Sequence, residues 1–156
     1  MIDIDFRSGQ PSDSQMMLKV HTAAILELGR SEYTPEECQS WAHGLTLQGY
    51  QSAMARGECF IVAVRGGKII GFCSFDSNEI MGLFVAPDSA RLGVGTRLLK
   101  QVEENIRAIG AEHIFLDAAL SAVSFYSASG YAKLRTEQWL TRGGLELVSV
   151  KMKKRC

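Results

Sequence analysis

Apolar and polar residues change their spacing several times along the chain, and each change marks an element. Ile2-Asp3-Ile4-Asp5-Phe6 alternates apolar and acidic side chains, the two-residue period of a half-buried strand. From Pro11 the spacing becomes helical. Met17, Leu18, Ala24, Ile25 and Leu28 share a face with His21, Ser12 or Asp13 is placed to cap the helix, and Gly29 to end it. Thr34-Pro35-Glu36-Glu37 predicts a second helix start, a capping box with proline at the first helical position. That helix carries Trp41 and stops near Gly44, and a short third helix covers Gln48 to Ala55.

Strand signals then take over. The runs CFIVAV (59–64) and KIIGFCSF (68–75) are joined by Arg65-Gly66-Gly67-Lys68, a hairpin turn, and EIMGLFVA (79–86) follows a second tight turn. Three antiparallel strands result. Gly82 inside the third predicts a bulge or a close backbone approach. From Val94 to Ile109 the period is helical again, with Val94, Leu98, Val102, Ile106 and Ile109 as the stripe, Glu103 and Arg107 as a favourable i,i+4 pair, and Gly110 as the stop. HIFLDAAL (113–120) then forms a strand parallel to the third, completing a βαβ unit. A short helix ends at Gly130. YAKLR, then WLTR and LELVSVKMK paired over Gly143-Gly144, close the chain as strands. The fold class predicted is α+β, a mixed and mostly antiparallel sheet with one βαβ crossover and flanking helices, in a single domain over residues 1–156.

Composition narrows the function classes. The chain has 156 residues, 46% hydrophobic and 22% charged, enough apolar surface for a folded core and too much for wholesale disorder. The formal net charge is zero, which gives no pointer to nucleic acid or to an anionic membrane. Cys38, Cys59, Cys73 and Cys156 show no metal-ligand spacing, so no metal is expected, and Cys59 and Cys73 read as small core residues. The start of the chain lacks the basic-then-apolar order of a signal peptide, and no apolar run reaches the roughly 20 residues of a membrane helix. The expectation is a soluble cytoplasmic protein.

The candidate chemistry lies in FVAPDSARLGVGTRLL (84–99), where strand gives way to helix through two glycines. Amides at a helix start lack intrahelical partners and carry the positive end of the helix dipole. A loop over Arg91, Leu92, Gly93, Val94, Gly95 and Thr96 is therefore suited to anionic oxygens. Glycines at 93 and 95 would leave room for a diphosphate, and Arg91 adds a charged donor. The alternative is that they merely turn the chain. The loop is neither a Rossmann fingerprint, which needs a third glycine, nor a P-loop, which needs Gly-Lys-Ser/Thr.

The order of the surrounding elements resembles the GNAT superfamily of N-acetyltransferases over roughly residues 60–131. The family turn (Q/R)-x-x-G-x-(G/A) follows a strand ending in Val-x-Pro. Here Val85-Ala86-Pro87 leads to Ala90-Arg91-Leu92-Gly93-Val94-Gly95, with the basic residue one place beyond its usual position. The downstream family element N-x-x-x-x-F-Y-x-x-x-G-F/Y corresponds to Ser121 through Phe125-Tyr126 to Gly130-Tyr131, with serine in place of asparagine. The resemblance implies acetyl-CoA as cosubstrate, a primary amine of a small molecule or protein as acceptor, direct attack of amine on thioester, and pairing as homodimers, as in many relatives. It implies that Arg91 to Thr96 hold the pyrophosphate, that Leu83, Phe84 and Val85 and the Ser121 position meet the pantetheine arm, that Tyr126 protonates the departing sulfur, and that Glu79 accepts the amine proton.

Each assignment has a plainer counterpart. Glu79 also fits a turn-flanking surface carboxylate, Tyr126 a core aromatic, Asp117 a solvated strand end, and His21 and Trp41 packing residues rather than walls of an acceptor pocket on the N-terminal helices. A chain that kept the cradle and lost turnover, a CoA-binding sensor or interaction domain, is the alternative function.

Overall fold

The computed structural model describes residues 3–156. Its first strand, β1 (Asp5–Ser8), begins later than the alternation at the N-terminus suggests, and Ile2 lies outside the described residues. Three helices follow, α1 (Ser14–Leu28), α2 (Pro35–Ala42) and α3 (Leu47–Ala55). Then come β2 (Cys59–Arg65), β3 (Lys68–Asp76) and β4 (Glu79–Val85), α4 (Val94–Ala108), β5 (His113–Ala119), α5 (Val123–Ala128), β6 (Ala132–Leu140) and β7 (Glu146–Arg155). The seven strands form one sheet in the order β1-β2-β3-β4-β5-β7-β6. Only β4 and β5 run parallel among the neighbouring pairs.

Local chemistry accounts for most of these elements. Gly66 and Gly67 both have positive φ, 58° and 78°, as the tight β2–β3 turn demands, and Arg65 pairs with Lys68. The box at α2 forms as its residues predict: Thr34 Oγ1 accepts from the Glu37 amide at 3.1 Å, and the Glu37 carboxylate accepts from the Thr34 amide at 2.9 Å. Helix α4 buries Val94, Leu98, Val102 and Ile106 against Ile61, Cys73, Ile80 and Leu116 on one sheet face. Helices α1 and α3 cover the other face, where Met17, Val20, Tyr50 and Ala53 meet Phe60, Val62 and Phe72.

Several expectations change on contact with the fold. Asp13 is no cap. Its carboxylate takes a bidentate bond from Arg7 at 2.8 and 3.0 Å and a third from the Gln10 amide. Cys59 is exposed at the start of β2, whereas Cys73 is fully buried. Ile109 lies beyond the end of α4 and is 61% exposed. YAKLR and the start of WLTR merge into the single strand β6. Glu103 is not solvated: it is buried, accepts from Tyr131 Oη at 2.8 Å and from Lys154 Nζ at 3.1 Å, and lies 3.8 Å from Arg107.

The decisive irregularity is in β4. Ser74 pairs with Gly82 but Phe75 pairs with Ile80, so Met81 is an extra residue, a bulge beside the glycine the sequence marked. Past the bulge β4 leaves its parallel neighbour, pairing with β5 only at Glu79–Phe115 and Ile80–Leu116. Gly82 is required for a reason the sequence does not display. A Cβ there would lie 2.8 Å from the Phe84 ring, which folds back over it.

Candidate functional site

The gap between β4 and β5 opens a cleft of about 390 Å³, and its walls can be built strand by strand. The Ala86 amide bonds the Ile70 carbonyl at 2.8 Å. Antiparallel alternation then turns Phe84 toward β3 and leaves the amides of Leu83 and Val85 directed at the gap. With β5 departed, these two donors have no strand to bond.

The second wall is the start of α4. Gly93 caps it at φ 75° with no side-chain cap, and the first intrahelical bond runs from the Arg97 amide to the Gly93 carbonyl at 3.1 Å. The amides of Val94, Gly95 and Thr96 are left without helical partners and form the positive end of the dipole. Arg91 also has positive φ, 69°, which for a residue with a Cβ costs roughly 1–2 kcal/mol and is retained at the turn into the cradle. The two glycines do different work. A Cβ at Gly93 would meet nothing within 4 Å, so that side faces open space. A Cβ at Gly95 would lie 3.4 Å from the Phe125 ring and 3.6 Å from Leu83, ordinary contact, so packing of α4 on α5 tolerates a methyl there.

Most of the residues singled out in the sequence meet at this cleft. Leu83, Phe84 and Val85 line it from β4. Arg91, Gly93, Val94, Gly95 and Thr96 line it from the loop and helix, and Ser121 and Tyr126 from the opposite side. Leu92 does not. It packs on the core beneath. Ala24, Ile25 and Leu28 of α1 complete the rim, a contribution that the helical pattern of α1 does not announce. Tyr126 is 6% exposed, with its ring centroid 5.2 Å from Phe125 and 5.7 Å from Tyr131. Burial raises its phenol above the ordinary value, so it is a neutral O–H donor at any physiological pH.

A second cavity of about 420 Å³ lies on the α1–α3 side of the sheet, and Trp41 and Phe84 belong to the walls of both. His21 is placed here and not in the cleft. Its ring centroid is 3.8 Å from that of Phe84, and Nδ1 is 2.8 Å from Tyr50 Oη. Burial lowers the imidazole to about 3, so it is neutral near pH 7. Glu79 lines neither cavity. It sits 3.8 Å from Lys151 Nζ, which also lies 3.7 Å from Asp117. Burial pushes the Asp117 carboxyl up, and Lys151 pulls it back.

Two functional candidates went unmarked in the sequence. Tyr33 is buried, donates to the Val148 carbonyl at 2.6 Å and accepts from the Leu120 amide at 2.9 Å, pinning the approach to α2 to the chain just past β5. Its available signal was the hydrophobic staple: Tyr33 precedes the capping box and shares a cluster with Cys38, one turn into α2. Glu58 enters the second cavity from the start of β2, and no spacing in the sequence distinguishes it.

The pattern of the Acetyltransferase (GNAT) domain family matches residues 30–156. The chain is 25% identical over 143 residues to the uncharacterized N-acetyltransferase YafP of Escherichia coli K12, covering 92% of this chain and 91% of that one. Among solved structures it is similar to a GCN5-related N-acetyltransferase from Rhodopseudomonas palustris. That match has a TM-score of 0.92 at 25% identity, over 100% of this chain and 98% of that one. It also shares its fold with the PaiA N-acetyltransferase of Thermoplasma acidophilum, solved with coenzyme A, at a TM-score of 0.79 and 19% identity over 99% and 100% of the two chains. A bulged strand splayed from its parallel partner, a glycine-capped helix start beside it and this breadth of match lead to one conclusion: the chain belongs to the GNAT acetyltransferase family.

Proposed function

We propose that this protein transfers the acetyl group of acetyl-CoA to a primary amine by direct attack. The observation that carries the reading is the convergence of two sets of free backbone donors, Val94 to Thr96 and Leu83 with Val85, on one cleft. The first set suits a pyrophosphate, reinforced by Arg91. The second suits the amide-bearing pantetheine arm and the thioester oxygen, with Ser121 on the facing wall. Solution of the Thermoplasma relative with coenzyme A supports the same ligand here.

The thioester is already activated, so the protein's part is to hold the reactants, receive one proton and supply another. The ammonium first loses a proton. The neutral nitrogen then attacks the acetyl carbonyl, forming the C–N bond, and the oxyanion is held by β4 amides. Collapse breaks the C–S bond. Tyr126 gives its proton to the sulfur and recovers one from the nitrogen, which leaves amide and thiol. A buried neutral phenol fits this role because it cannot be lost to solvent before the step. Four unpaired cysteines suit a reducing compartment, and we place the protein in the cytoplasm.

Replacing Tyr126 with Phe tests the assignment. The expected outcome is a fall in kcat of about a hundredfold or more with coenzyme A affinity held. A rate equal to that of the parent protein removes Tyr126 as the acid.

A further inference from the structure

The second cavity has no part in the cleft's chemistry as described, yet it shares Phe84 and Trp41 with it. One part of its wall is aromatic: His21, Tyr50, Phe72 and Trp139 add to the two shared rings. Trp41 and Trp139 meet edge to face at 5.5 Å, and Phe72 lies 5.6 Å from Phe84, so these rings hold one another in place. Among the described residues lining it, Glu58 is the one carboxylate. Glu58 stands beside the Ser74 hydroxyl, and Ser74 pairs across the sheet with Gly82, next to the Leu83 amide that faces the cleft. Glu58, Ser74 and Gly82 thus line one cavity, and Gly82 lies on the strand whose next amide faces the cleft.

From this geometry we infer that the second cavity is the acceptor site, that it takes a primary amine carried on an aromatic body, and that Glu58 binds the ammonium group and receives its proton. The inference rests on the acetyl-transfer reading and names its substrate class and its base. Aromatic walls attract a cation through ring quadrupoles and bury an aryl group, and a single carboxylate fixes which end is the amine. Glu58 is also suited to hold a proton. Burial raises its carboxyl above the usual range, the Ser74 hydroxyl lowers it, Asp76 raises it and Arg56 lowers it. The other ionisable side chains lining the cavity are His21, Tyr50, Arg142 and His43. His21 is held neutral by burial with Nδ1 engaged by Tyr50, Arg142 is a permanent cation at the rim, and His43 is exposed on the α2–α3 connection. On transfer, the N–H bond breaks toward Glu58, and the freed electron pair forms the bond to the acetyl carbon. Glu58 later returns its proton to water.

The chain has two tryptophans and both line this cavity, so occupancy reads out in intrinsic fluorescence without any turnover. Titration with 2-phenylethylamine is expected to give a saturable change. E58Q should weaken that binding at least about tenfold, as loss of a charged hydrogen bond does, while coenzyme A affinity, measured by calorimetry, stays put and reports a folded protein. 1,4-Diaminobutane, which lacks the aromatic body, should also bind at least about tenfold more weakly than phenylethylamine. In the kinetic arm, kcat/KM for phenylethylamine should fall at least about thirtyfold in E58Q, lose its rise with pH through the carboxyl range, and recover in part in E58D. Unchanged amine binding in E58Q, equal binding of the diamine, or a rate lost in E79Q and kept in E58Q each overturns the assignment. The two readings fail separately. Phenylethylamine that binds, with no thiol released by it or by any other primary amine, sinks acetyl transfer and leaves the pocket standing. Acetylation of other amines with E58Q unimpaired sinks the pocket and leaves acetyl transfer standing.

Discussion

Single residues here are defined by what surrounds them more than by their type. Tyr126 and Tyr33 are both buried tyrosines. One lies in the wall of a cleft, and the other satisfies a carbonyl and an amide that hold the cleft's edge in place. His21 shows the same dependence with a measurable consequence. Its folded value, about 3, lies below the ordinary value of 6.5 because burial penalises the imidazolium. A depressed value means that the unfolded chain binds the proton first. The associated stability is therefore fully present above about pH 6.5 and is lost as pH falls toward about 3. Between pH 7 and pH 4.5 the loss should be about 2–3 kcal/mol. In H21Q, which keeps a partner for Tyr50, urea unfolding at the two pH values should show most of that difference gone. Equal losses in both proteins would mean that His21 is not held neutral. Asp13, bonded by Arg7, also loses stability in acid, but it does so in both proteins and cancels from the comparison.

At the scale of elements, the start of α4 gathers the most free donors in the fewest atoms. Its capability comes from backbone: three amides without helical partners, a glycine cap at positive φ, and a preceding arginine held in the same uncommon region. Such a site is vulnerable at the cap and tolerant one residue inside. A tryptophan at Gly93 must adopt φ 75° and project into open space beside the amides, so G93W should lose coenzyme A affinity by about a hundredfold or more in calorimetry while its circular dichroism is kept. G95A adds a methyl at ordinary contact with Phe125 and should change affinity less than about tenfold. Wild-type affinity in G93W would show that the cofactor's phosphates bind elsewhere. The strand–loop–helix order, the caps and the turns were legible in the sequence because they depend on neighbours a few residues apart. The bulge was legible as a glycine in a strand, but not its cause. The Phe84 ring that demands Gly82 is fixed by the packing of His21 and Phe72, from two other elements.

The whole molecule divides its work between the two faces and the one gap of its sheet. The face under α4 is a continuous apolar core, the gap between β4 and β5 presents backbone donors, and the face under α1 and α3 opens into an aromatic cavity. The cofactor side was readable because its residues fall within a short stretch, 83–96, with Ser121 and Tyr126 downstream in a recognisable element. On the other side His21 and Trp41 were legible as pocket candidates on the N-terminal helices, but Glu58 and Trp139 were not, because the four come from separate elements or connections and meet only in the folded chain. Glu79 shows the converse. Its place at the head of β4 suits a base, yet in the fold it lies outside both cavities, beside Lys151. These parts combine only if the amine reaches a thioester held at the gap. The most direct measurement is therefore the rate of free thiol release from acetyl-CoA as amine is added, with the acetylated amine identified by mass. Release should saturate with amine, with an N-acetyl product formed in equal amount to the thiol. Acetyl-CoA that binds in the cleft and yields no thiol with any primary amine would contradict it.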